Sequence, residues 1–134
     1  MTRTSTKRSL ARSVRIMASG DLHNDQESRW QECQRVLTWV AEQVEKEKPA
    51  AFLIPGDVYE RLSTPDERAF VAAWLQRIAE GSPVVITRGN HDRRQDCSLL
   101  ARLAAPHPII VEERCGVYWL GSGLVVGAVA WPNR

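Results

Sequence analysis

The sequence predicts an α/β domain: βαβαβ units feeding a mixed sheet. Three observations carry that expectation. Three short apolar runs, at residues 14–18, 51–54 and 83–87, each lead straight into a polar, glycine-containing motif. Two long stretches with helical periodicity separate them. After the third run, the pattern changes to short strand signals joined by tight turns.

The first run is apolar apart from Arg15 and ends at Gly20-Asp21. A helix is expected over about 26–47, where Trp30, Cys33, Val36, Leu37, Val40 and Val44 recur at steps of three and four and form one face. Most other positions there are Glu, Gln, Arg or Lys, and Pro49 stops the helix. The second run leads into Gly56-Asp57. Thr64-Pro65-Asp66-Glu67 then reads as a helix start: Thr64 caps, Pro65 suits the first turn and Glu67 completes a capping box. Phe70, Val71, Trp74, Leu75 and Ile78 make the buried stripe of this helix, and Gly81 is expected to end it in a left-handed cap. The third run leads into Gly89-Asn90-His91-Asp92. Residues 98–104 read as a short helix. Residues 109–111, 117–120 and 124–129 read as antiparallel strands, added to the sheet or beginning a second one. Trp30 and Trp74 are expected in the core, Trp39 lies off its stripe, and Trp119 and Trp131 are expected to pack.

The chain has 134 residues, 43% of them hydrophobic, enough for one core. A net charge of +2 is too small to argue for a nucleic-acid partner. Its distribution is uneven, because Arg3, Lys7, Arg8, Arg12 and Arg15 fall in the first fifteen residues with no acid among them. Residues 1–13 are therefore read as a basic flexible arm and 14–134 as the domain. No apolar run reaches the ~18 residues of a membrane span, and the arm is no secretory signal. Cys33, Cys97 and Cys115 form no CxxC pair and no even framework, so buried or half-buried free thiols in a reducing cytoplasm are expected.

The chemistry follows from the position of the motifs. Ligands of parallel α/β sheets bind beyond the carboxyl ends of the strands. Right-handed crossovers bring those ends to one edge. Asp21, His23, Asp57, Asn90 and His91 should therefore converge. Carboxylate, imidazole and amide oxygen form a mixed N/O set suited to Mn, Fe or Zn. A carboxylate at the second strand end can bridge two ions, and a two-metal clamp activates water against a phosphodiester. Each motif alone reads as a turn; three in this order, each at a strand end, read as a metal site.

Gly20-Asp21-Leu22-His23, Gly56-Asp57-Val58-Tyr59-Glu60 and Gly89-Asn90-His91-Asp92 resemble the first three motifs of the calcineurin-like metallophosphoesterases, over about residues 14–131. Within that superfamily the approach to each motif is similar to the SbcD-type DNA-repair nucleases, which work with an SbcC-type ATPase on DNA ends. The resemblance implies the first half of the family fold. It assigns Asp21 and His23 to one metal, Asp57 as a bridge and Asn90 to the second metal. It makes His91 a transition-state stabiliser or acid, oriented by Asp92, and it implies manganese, with iron or zinc as substitutes. Arg88, Arg93 and Arg94 flank the third motif as candidate phosphate contacts.

Two departures stand out. Glu60 occupies a position where the family often has Asp. The family's later motifs supply three more histidines, whereas this chain has three in all, and His107, between two prolines, reads as an exposed loop residue. The site is then half built, with its remainder expected from a longer protein or from a second chain. Three readings are open: a DNA phosphodiesterase, a phosphoesterase acting on nucleotides or phosphoproteins, or an inactive subunit with a binding or assembly role.

Overall fold

The computed structural model describes residues 13–121 and 123–132. The basic arm, apart from Ser13, lies outside the described residues. The elements are β1 (Ile16–Ala18), α1 (Trp30–Glu47), β2 (Ala51–Ile54), α2 (Pro65–Ala79), β3 (Val84–Thr87), α3 (Arg94–Leu100), β4 (Ile109–Glu112), β5 (Cys115–Trp119) and β6 (Val125–Val129).

Four strands pair in the order β1-β2-β3-β4, all parallel. This corrects the expectation for residues 109–111, which were read as antiparallel. The segment from Arg93 to Pro108 holds α3 and a turn, long enough to carry the chain back to the start of the sheet, so β4 enters in the same direction as β3. Only β5 and β6 are antiparallel. They form a separate hairpin, so the main sheet is not mixed among the described residues.

With the strands in sequential order, right-handed crossovers place α1 and α2 on the same face. Met17, Phe52, Ile54, Val84, Ile86, Ile109 and Val111 alternate along the strands and join Leu37, Val44, Val71, Leu75 and Ile78 of the helices in one apolar cluster. The Trp74 indole N–H donates to the Leu37 carbonyl at 2.6 Å, which locks α2 onto α1, and the Trp74 ring meets Phe52 edge-on.

Helix α2 starts as the sequence predicts. Thr64 accepts from the Glu67 amide, and the Glu67 carboxylate accepts from the Thr64 amide at 2.8 Å. It ends differently. Gly81 is not left-handed; the helix closes in αR geometry, with the Gly81 and Ser82 amides both donating to the Ile78 carbonyl. Helix α1 begins later than expected, at Trp30, because residues 21–29 form the first site loop. Val36 is exposed, and so is Trp39.

Two further expectations fail at the hairpin. Trp119 is 80% exposed and Trp131 52%, and Cys115 is also exposed. In the hairpin register Cys115 faces Val129, Val117 faces Gly127 and Trp119 faces Val125, so one side is a wholly apolar ladder turned to solvent. Among the described residues no helix is long and apolar enough to cross a membrane.

Candidate metal centre

The carboxyl ends of β1, β2 and β3 do lie on one edge, and their loops are bound together backbone to backbone. After β1 and β2 the two chains keep running side by side. The His23 amide donates to the Asp57 carbonyl at 2.9 Å and the Asn24 amide to the Val58 carbonyl at 3.0 Å, and Asn24 bridges to Tyr59. Asn24 is fully buried. Its side-chain amide donates to the Val58 carbonyl at 2.7 Å, and its oxygen accepts from the Cys33 thiol.

The second and third motifs meet through their glycines. Gly56 has φ of 91°, and a Cβ there would lie 2.8 Å from the Gly89 Cα. A Cβ on Gly89 would collide with the Asp57 side chain and amide. The glycines thus let two backbones touch each other.

This packing assembles the cluster. Ligand atoms of Asp21, His23 and Asp57 all lie within 4.8 Å of one another, although they come from loops 36 positions apart. Asp21, His23 and Asp57 adopt φ of 52°, 44° and 52°, the left-handed region that non-glycine residues rarely occupy. Such departures persist only where the surrounding structure imposes them, and they gather at ligand sites. Asn90 is exposed, and it sits between Gly89, which packs on Asp57, and His91, whose amide donates to Asp57 Oδ1 at 2.9 Å.

His91 and Asp92 are held differently from the arrangement the resemblance implied. Both Asp92 oxygens accept backbone amides, from Gly89 at 2.9 Å and from Tyr59 at 3.1 Å, so this buried carboxylate cross-links the second and third loops. Burial raises its pKa, against those two amide bonds. The His91 ring meets Glu60 instead: Nδ1 lies 3.0 Å from the Glu60 carbonyl and 3.6 Å from its carboxylate. A carbonyl only accepts, so Nδ1 carries the proton and Nε2 remains available. The same carbonyl holds the His91 pKa above the ordinary imidazole value.

Glu60 is the site residue that sequence reasoning passed over. Its carboxylate lies between His23 and His91, whose rings stack edge-on at 5.1 Å. One oxygen approaches His23 Nδ1 to 2.5 Å, outside aligned hydrogen-bond geometry, which leaves that buried ring nitrogen without a proper partner. The Glu-for-Asp departure marked the position, but the reach of its side chain depends on the fold.

The flanking arginines separate. Arg88 is buried, and its guanidinium donates to the Trp131 carbonyl at 2.6 Å, fastening the exit of β6 to the end of β3. Arg93 and Arg94 are exposed at the start of α3. His107 is half-buried, and its amide donates to Ala79 where the chain enters β4, at the opposite edge of the sheet.

A family model described as calcineurin-like phosphoesterase matches residues 14–127. The chain belongs to the calcineurin-like phosphoesterases. No curated protein matches it. Members of this family hydrolyse phosphoesters with divalent metal ions, and the residues on the page fit such an ion. Asp21, His23 and Asp57 form an N/O donor set, and strained backbone presents all three.

Proposed function

We propose that this calcineurin-like domain hydrolyses phosphodiesters at DNA ends, as SbcD-type nucleases do with an SbcC-type ATPase. The observation that carries the reading is the convergence of Asp21, His23 and Asp57 at the carboxyl edge of a parallel sheet, with His91 hydrogen-bonded to Asp57.

Asp21, His23 and Asp57 would hold one metal, manganese by preference and iron or zinc as substitutes. Asp57 and Asn90 would hold a second. Bound metal supplies polarisation of a phosphoryl oxygen and a nucleophilic water. His91, in its imidazolium form with Nδ1–H donated to the Glu60 carbonyl, would present Nε2–H to the departing oxygen as stabiliser or proton donor. Asp92 keeps the Gly89 and Tyr59 backbones in place for both neighbours.

The charge around the cluster sets the direction of approach. A groove of about 540 Å³ opens beside Asp21 and His23. Asp21, Asp25, Glu32 and Glu60 line it with Arg29, which is itself paired to Glu32 at 2.9 Å. A phosphate backbone is disfavoured there, so DNA approaches over exposed Arg93 and Arg94.

Two metals need about eight to twelve coordination positions, and Asp21, His23, Asp57 and Asn90 fill few of them. The reading therefore includes further ligands from a completing segment, in the same chain or a second one. The test is hydrolysis with manganese of a DNA duplex end, a nucleotide ester and a generic bis-aryl phosphodiester, with and without that segment. The 134-residue chain alone should hold at most one metal and turn over little; the completed site should cut DNA ends, and Asp57→Ala should abolish this. Robust turnover by the chain alone would refute the completion. Preference for the nucleotide ester would refute the nuclease.

A further inference from the structure

We propose that the exposed face of the β5–β6 hairpin is a self-association surface, through which two copies of this chain pair about a two-fold axis. The inference goes beyond the metal reading and does not depend on it.

The face has the composition of an interior. Cys115, Val117 and Trp119 on β5 stand beside Val129, Gly127 and Val125 on β6, and all six positions are exposed. Trp131 continues the alternation just past β6 and is exposed as well. Neither strand carries a charged residue. The alternate positions turn inward, with Ala128 buried and Gly116, Tyr118 and Val126 half-buried. The exposed valines and indoles offer on the order of 500 Å² of apolar surface per copy, as much as the largest patch of an ordinary monomer. Two copies face to face bury about 1,000 Å², the least that a specific dimer needs.

The occupant follows from what the face lacks. Residues 1–12, 122 and 133–134 lie outside the described ones, and their only large apolar side chains are Met1 and Leu10, too few to cover the ladder. The strands hold no charge that would select a charged partner. A second copy brings an equally apolar face without like-charge repulsion. At the centre of the ladder a Cβ on Gly127 would meet nothing within 4 Å, so the middle row is recessed and two such faces can approach closely. A contact made by the same patch on both copies closes at two and leaves no apolar face for a third.

The surface is also preformed. The Trp131 amide donates to the Arg88 carbonyl at 2.8 Å, and the Arg88 guanidinium donates back to the Trp131 carbonyl at 2.6 Å. The Ala130 amide donates to the Arg114 carbonyl at 2.7 Å, and the Tyr118 hydroxyl donates to the Glu112 carboxylate. With the hairpin fastened to β3 and β4 in this way, little ordering is left for pairing to impose.

The test is sedimentation equilibrium of the 134-residue chain under reducing conditions, so that Cys115 cannot link copies covalently. The native chain should pass reversibly from monomer to dimer and stop there, with a Kd of about 1–100 µM for an interface of this size. Trp119→Ser should weaken pairing about 10-fold. Val117→Lys and Gly127→Glu each set two like charges between the central rows and should weaken it more than ~30-fold. Mixing those two variants opposes Lys to Glu and should restore a one-to-one pair, which misfolded variants could not do. A chain that stays monomeric up to ~1 mM overturns the proposal and leaves the face to a different polypeptide. So does a dimer indifferent to both charged variants, whose contact would lie elsewhere. Growth beyond two copies, or loss of pairing in each variant without recovery on mixing, overturns the two-fold arrangement.

Discussion

The three site loops and the β5–β6 hairpin are both additions to one parallel sheet, yet their surfaces are finished in opposite ways. In the loops, polar groups are turned inward and cross-linked: Asn24 is fully buried on Val58 and Cys33, and Asp92 spans Gly89 and Tyr59. In the hairpin, apolar groups are turned outward, with Val117, Trp119 and Val129 67%, 80% and 77% exposed. Buried polar groups cost stability unless each is satisfied, and once satisfied they fix a single geometry. An exposed apolar ladder fixes nothing around it. The chain spends its geometric precision where the ligand atoms meet.

The largest expected contrast is in thiol reactivity. Cys97 is buried, and desolvation pushes its thiol up to about 12, whereas Cys115 lies open on the hairpin. Burial shields Cys97 and disfavours its thiolate, so the exposed Cys115 should react with a disulfide reagent orders of magnitude faster near neutral pH. Mass spectrometry of the singly labelled protein identifies the site, and early labelling of Cys97 would break the comparison. Next, Asp57→Ala removes a ligand-type carboxylate and the acceptor of the His91 amide. Manganese affinity should fall by more than ~100-fold, as read by calorimetry, with the sheet retained by circular dichroism.

A third expectation concerns stability. The fully buried Glu67 carboxylate accepts from the Gln26 amide at 2.6 Å and from Thr64, holding the first site loop onto α2. Glu67→Ala should lower unfolding stability by about 1–3 kcal/mol in urea, because two inward-facing amides lose their acceptor. The smallest effect belongs to Trp119→Ser on the open ladder. It should change stability by no more than ~0.5 kcal/mol while reducing the binding of a hydrophobic dye. A large destabilisation would show that the indole is packed after all.

Local signals were legible in the sequence, and those that depend on a neighbour were less so. The Thr64–Glu67 cap could be read because its partners are three residues apart. The three polar motifs could be read because a strand end has a fixed place in a parallel sheet. Short strand signals joined by tight turns identified β5 and β6, but they do not say which of two faces another layer covers, so Trp119 was expected to pack. The direction of β4 hung on the length of the connection before it, which the short α3 signal understated. Gly81 carried a cap signal, but the αR ending satisfied the same carbonyl without it. Glu60 looked like a mild substitution; only the paired loops reveal what its extra methylene reaches.

That pairing of loops has a kinetic meaning as well. The amides of His23 and Asn24 lie in segments without regular structure, yet they donate across to Asp57 and Val58 as ladder amides do. They should exchange hydrogen with solvent at the slow rates of β1 and β2, because releasing them requires the two strands to part. Local fraying that would let a bound ion escape is thereby suppressed, and opening of the centre becomes an event of the whole sheet.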